Sequence, residues 1–240
     1  MPNNVSGKFL FVCIIFLPSL VDAMGLRSFV ALPVEKGGGV VRLTSEYNDD
    51  SEVNQSRTNL AYGLDHRQTL LLGVPYRLSP NGSDRVGDVS ALYRNIIIQK
   101  DKFNSTVRLG LLGGFILPTD DDRDAAIPLG FVTTFYSGRT EIDIDALYQI
   151  GLSDRKDSGR YDISWQYRLS PAEYPDWGVG SELGSVIELR GNWTQDEKTI
   201  HEATLGLQWI HQKWLLEGGA VRDVNGPHET RFLLGVRFHF

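Results

Sequence analysis

The sequence predicts an all-β protein, a transmembrane antiparallel up-and-down β-barrel of about 12 strands. Three observations carry that prediction. Apolar and polar residues alternate with period 2 almost without a break after residue 36. Tight turns exchange regularly with longer polar loops, and aromatic residues gather at strand ends. A water-soluble sandwich alternates too, so the second and third observations are what place the chain in a membrane.

Residues 1–23 read as an export signal. Lys8 is the positive residue, Phe9 to Leu20 is the apolar core, and Val21-Asp22-Ala23 puts small residues where cleavage before Met24 requires them. The apolar run is too short to span a membrane as a helix. Cys13, the single cysteine, lies inside this signal, so the mature chain has none. A cysteine-free exported protein fits the bacterial envelope better than a disulfide-stapled extracellular domain. Residues 24–36 show no strand pattern; they hang in the periplasm or fold into the lumen. The barrel is expected over residues 37–240.

Within it the alternation predicts strands over 37–47, 57–66, 68–78, 85–98, 103–117, 126–136, 139–151, 159–169, 179–193, 200–212, 213–222 and 229–240. The seventh is the clearest: Ile142, Ile144, Ala146, Tyr148 and Ile150 share one face, while Glu141, Asp143 and Asp145 share the other. In the eighth, Tyr161, Ile163, Trp165 and Tyr167 alternate with Asp162, Ser164, Gln166 and Arg168. The last sets Phe232, Leu234, Val236, Phe238 and Phe240 against Arg231, Gly235, Arg237 and His239. His66 to Gln68, Gln99 to Lys102, Ser137-Gly138 and His211 to Lys213 read as tight turns. Asn48 to Ser56, Ser79 to Asp84, Pro118 to Ala125, Leu152 to Ser158, Thr194 to Thr199 and Asp223 to His228 read as the more polar outer loops. Ser170 to Gly178 is too long for its inner side and breaks the rhythm. Phe135, Tyr136, Tyr167, Trp209, Trp214 and Phe240 fall at inner ends, and Tyr47, Tyr76, Tyr148, Tyr161 and Trp193 at outer ends, as two interfacial girdles.

Composition then bounds function. The 22% charged and 41% hydrophobic content, with mean hydropathy −0.20, is ordinary for a globular protein. It is equally ordinary for a barrel, since half of each strand faces a polar interior. The net charge of −6 argues against nucleic acid as a partner. No Gly-x-Ser-x-Gly, His-Glu-x-x-His or phosphate-binding loop occurs, so no enzyme activity, no catalytic residue and no cofactor is expected. His211 and His201 are the only histidines placed for lipid-modifying chemistry, and both read as interfacial residues. Asp120 to Asp124, interrupted by Arg123, lacks the spacing of a calcium loop and reads as a solvated outer loop, with no metal expected.

The informative set is the inward face. Alternation assigns to it Arg42, Arg94, Arg108, Glu141, Asp143, Asp145, Asp162, Arg168, Glu188, Arg190, Arg231 and Arg237, with Glu46 beside them. Facing charges can filter permeating solutes, or they can pair and fill the interior. A barrel of about twelve strands lies between the side-chain-filled and channel-forming sizes, so a narrow or occluded pore is expected.

Gly87-Asp88-Val89-Ser90-Ala91-Leu92-Tyr93, Gly114 to Asp120 (with Pro118-Thr119-Asp120) and the closing Gly235 to Phe240 resemble an outer-membrane transporter family associated with the meta-cleavage pathway of phenol degradation. The resemblance covers roughly residues 60–240, and Asp120 stands where that family usually has glycine. It implies uptake of small aromatic compounds and carries no binding residues over. The expectation is therefore a narrow passive channel for small solutes in the bacterial outer membrane, the alternatives being a structural or docking barrel and a lipid-modifying enzyme. Expected partners are membrane lipid and lipopolysaccharide, a small-molecule solute, and the barrel-assembly machinery through the C-terminal strand.

Overall fold

The computed structural model describes residues 25–80, 85–170 and 181–240. Among them are twelve strands: β1 (Gly39–Asn48), β2 (Asn54–Gly63), β3 (Gln68–Ser79), β4 (Val89–Lys102), β5 (Ser105–Leu117), β6 (Ala126–Ser137), β7 (Thr140–Gly151), β8 (Ser158–Arg168), β9 (Ser181–Thr194), β10 (Ile200–His211), β11 (Trp214–Asp223) and β12 (Thr230–His239). Each pairs antiparallel with its sequence neighbours, and β1 pairs with β12 from Val40↔His239 to Asn48↔Arg231, which closes the barrel. Closure removes every sheet edge, which is the condition for a sheet to stand in hydrocarbon. Strands of ten to fourteen residues are long enough to cross it.

The outward face decides between membrane and water. Leu43, Leu60, Leu111, Phe115, Leu129, Ile187, Leu205 and Leu234 all point out of the wall and are exposed, Leu234 to 72%. An apolar belt continuous around the molecule is far beyond what a soluble protein presents. The chain is a transmembrane barrel of the bacterial outer membrane. Both the start of β1 and the end of β12 lie at one end, here called inner; the loops after β1, β3, β5, β7, β9 and β11 lie at the other, called outer.

Three expectations are corrected. Gln99 to Lys102 is not a turn: β4 runs to Lys102 after a register shift at Ile96/Ile98, and the turn is Phe103-Asn104, with Asn104 at φ 61. β2 begins at Asn54 rather than 57, because the polar Asn54-Gln55-Ser56 run pairs with Tyr47, Glu46 and Ser45. Tyr136 also leaves the expected girdle. It faces inward, and its hydroxyl accepts a hydrogen bond from Arg168 at 3.2 Å. The expected signal peptide and nearly all of the Ser170 to Gly178 connection lie outside the described residues.

Candidate functional site

Alternation on each strand turns the polar residues inward, so the lumen is lined by charge. All twelve candidate residues face it, and the structure gathers most of them into three networks. On the outer half, Arg231 donates to Glu46 (3.0 Å), Glu202 (2.7 Å) and Asp223 (2.8 Å). Lower down, Glu217 takes Arg42 at 2.7 Å and Arg237 at 3.4 Å, and it also accepts from Gln208 at 3.2 Å. Across the lumen, Asp162 holds Arg190 at 2.5 Å and Arg160 at 2.7 Å. On β7, Asp143 accepts from Thr134 (2.5 Å) and Gln166 (2.8 Å), and Asp145 lies 3.9 Å from Arg160. Glu141 is buried beside them.

Two arginines stand apart. Arg108 pairs with Asp101 at the inner mouth (3.3 Å), and Arg168 pairs with Glu182 (2.7 Å). Satisfying buried charge this densely is what the low-dielectric interior requires, since each lone ion would cost several kcal/mol.

The networks hold something else in place. Residues 25–36 enter from the inner end and cross the lumen. The backbone N–H of Phe29 donates to Asp145 (2.7 Å), that of Ala31 to Thr134 (2.9 Å) and that of Arg27 to Glu188 (3.1 Å). The carbonyls are taken by arginines: Arg27 O by Arg190 (2.7 Å), Leu32 O by Arg94 (2.6 Å), Val30 O also by Arg94 and Leu26 O by Arg42. A segment with no sheet partner thus has backbone groups of residues 25–32 met by wall side chains, the pairing that buried backbone calls for. Its apolar side chains find apolar patches. Ala31 and Phe29 pack on Ile96, Leu112, Val132 and Leu147, and Leu26 packs on Val186 and Leu233. The Arg160 guanidinium lies 4.7 Å from the Phe29 ring centroid. Asp143, Asp145 and Asp162 are fully buried within this contact.

Toward the outer end the segment leaves a cavity of about 290 Å³, bounded by β1 to β3 on one side and by β9, β10 and β12 on the other. Its charged wall is Arg27, Arg42, Arg57, Arg190 and Arg231 with Glu46 and Glu202. Sequence reading missed Arg57, Arg27, Arg160, Glu202 and Glu217. The alternation on β10 and β11 would have reached Glu202 and Glu217. Arg27 carries no such signal because it lies outside any strand.

The two strand-end motifs of the family resemblance meet at the outer rim. Asp88 pairs with Arg123 (2.9 Å) and Arg155 (2.7 Å), and the Thr119 hydroxyl donates to the Val86 carbonyl (2.9 Å). Gly87 is needed for close approach: a Cβ there would stand 2.6 Å from Pro75. The Asp120 to Asp124 loop is thereby tied to its neighbours, with Asp124 accepting the Asp154 N–H at 3.1 Å. His211 stacks on Trp209 on the outer face, and His201 Nδ1 lies 3.0 Å from the Tyr161 hydroxyl.

Comparison with known proteins agrees with this architecture. The fold is that of outer-membrane channel porins. The NanC porin superposes with a TM-score of 0.57 at 14% identity, over 82% of this chain and 98% of its own. The KdgM porin gives 0.56 at 8% identity, over 84% and 99%. An outer membrane channel from Pseudomonas putida F1 gives 0.54 at 18% identity, over 89% and 98%. No protein-family model matches the chain, and no curated protein matches it by sequence.

Proposed function

We propose that this protein is a narrow passive channel for small solutes, among them small aromatic compounds, and that residues 25–36 hold its path closed. The observation that carries the reading is the charged, water-accessible cavity inside a barrel of channel-porin fold, separated from the inner mouth by one short segment. Aromatic solutes rest on the resemblance to the phenol meta-cleavage transporter family. The loops and outward aromatics would meet lipid and lipopolysaccharide. Phe240, 62% exposed at the end of β12, would be the residue offered to the barrel-assembly machinery. The test is conductance in planar bilayers, with uptake of phenol and benzoate by cells carrying or lacking the protein. Wild type should conduct weakly, and a variant lacking residues 25–35 several-fold more. If neither conducts and uptake is unchanged, the channel reading fails. The structural or docking reading, favoured by the hydrogen bonds that tie the backbone of residues 25–32 to the wall, would then stand.

A further inference from the structure

The lumen arginines are not all alike. Around the outer cavity two carboxylates face five guanidinium groups, and their oxygens are already used. Glu202 gives one oxygen to Arg27 (2.6 Å) and the other to Arg231 (2.7 Å). Glu46 gives one to Arg231 (3.0 Å) and faces Arg27 with the other (3.7 Å). Arg42 is held by Glu217 and Arg190 by Asp162. Arg57 remains. Its position on β2, opposite Thr44 of β1 and Pro75 of β3, turns it inward to the cavity. Among the described residues its guanidinium makes no hydrogen bond and no ion pair, and it is solvent-exposed although it lies inside the barrel.

We propose that Arg57 is the anchor of a binding site for a small organic carboxylate, which would enter from the outer end and stop above residues 25–36. The inference rests on the channel reading and names its substrate class. A planar guanidinium fork matches a carboxylate in two parallel N–H···O bonds, and such charge-assisted bonds are stronger than neutral ones. One free cation calls for one negative charge. A dianion would bring a second charge toward Glu46 and Glu202, whose own partners are fixed. Gln55 and Asn59 share the inward face of β2 with Arg57 and offer amide N–H groups, while Leu26, Pro75 and Leu233 give the cavity an apolar side for the rest of the molecule. A cavity of about 290 Å³ is at the small end of ligand sites, which suits a solute the size of one substituted ring.

The experiment is calorimetric titration of the full mature barrel in detergent with benzoate, its neutral counterpart benzamide, and inorganic phosphate. Benzoate should bind one to one. Benzamide and phosphate should bind at least about tenfold more weakly. Arg57→Gln should weaken benzoate about tenfold or more, Arg57→Lys should keep part of it, and neither should change the temperature at which the barrel unfolds, because Arg57 holds no other residue. Failure of wild type to bind benzoate would overturn the proposal. So would benzamide binding equal to benzoate, or benzoate affinity unchanged to within about twofold in Arg57→Gln. Benzoate binding without conductance in any variant would leave the site standing and sink the channel. Conductance without benzoate binding would do the reverse.

Discussion

A carboxylate inside this barrel is worth what its partners make of it. Glu217 is the clearest case: it is buried, and it is the acid that joins Arg42 to Arg237, whose side chain has no solvent contact. Glu217→Ala would strand two guanidinium groups, at a cost of roughly 3–5 kcal/mol where one partner of a buried pair is removed. Its unfolding in detergent, followed by heat-modifiable mobility on a gel, should therefore move to markedly lower temperature; an unchanged transition would show that water reaches these groups. Asp143 and Asp145 hold different groups: Asp143 accepts from Thr134 and Gln166, while Asp145 accepts the Phe29 N–H and lies 3.9 Å from Arg160. Neutralising both should lower the unfolding temperature with little effect on ion selectivity, because both are fully buried. A shift toward anions at unchanged stability would instead mean that they line the path. An exposed carboxylate behaves differently. Asp157, in the outer loop before β8, accepts the Tyr148 hydroxyl at 2.6 Å and the Gly151 N–H at 2.9 Å, and these bonds hold its carboxyl below the ordinary value of 3.8. A depressed folded pKa means that the contribution is present above that ordinary value and is lost as pH falls through the lower folded one. Loop amide resonances near Gly151 should therefore titrate only under strongly acidic conditions, and Asp157→Asn should abolish that titration.

At the scale of elements, the unusual piece is the segment 25–36, which forms no strand, bends at residues 26–28 and is held by side chains of the wall. Leu26 fixes its tip. Its Cδ1 would lie 2.4 Å from a Cβ on Gly206 and 3.2 Å from one on Gly219, so these paired glycines of β10 and β11 form a notch that any larger residue would fill. Leu26→Ala empties the notch without touching the wall, and loss of a buried leucine side chain is worth about 2–5 kcal/mol. In a chain carrying Val30→Cys as reporter, on a residue that is fully buried here, Leu26→Ala should raise the rate of maleimide labelling about tenfold or more. Equal rates would mean that the segment is anchored elsewhere. The sequence left this segment either hanging in the periplasm or folded into the lumen, and its contacts were not legible there. Residues 25–36 have no strand period, and their partners are scattered along the chain, from Arg42 and Arg94 to Thr134, Asp145 and Glu188. The wall was legible because lipid on one side and polar groups on the other impose a strict period of 2. Where strands project past the apolar layer that constraint lapses, and there the reading slipped: Asn54-Gln55-Ser56 and Gln99 to Lys102 are strand without looking like it. Arg57, at the edge of the first slip, was missed as a lumen residue for that reason. Its lack of a partner depends on how β1, β10 and β12 share their acids, which no local pattern encodes.

The whole molecule has a direction. An even number of strands returns the chain to the end where it started, so the beginning of β1 and Phe240 lie together, each donating to the other's carbonyl: Gly39 N to Phe240 O at 2.9 Å and Phe240 N to Gly39 O at 3.0 Å. The opposite end carries six loops rich in acid, including Asp120 to Asp124 and Asp154 to Asp157, cross-tied through Asp88, Arg123 and Arg155. Outer-membrane barrels keep short turns in the periplasm and longer loops outside, and that rule puts these six loops on the outside. The Arg57 cavity, on the loop side of the segment, would then open to the medium, and solute would meet the carboxylate site before the closure. Because residues 24–240 contain no cysteine, single substitutions can report this. Asp121→Cys, in an exposed loop, should react with a membrane-impermeant maleimide on intact cells. Ser137→Cys, exposed at the inner end of β6, should react only after the outer membrane is permeabilised. If Ser137→Cys labels first, the barrel is inverted and the site faces the periplasm. Labelling of both on intact cells would mean that the strands do not span the membrane as this register requires.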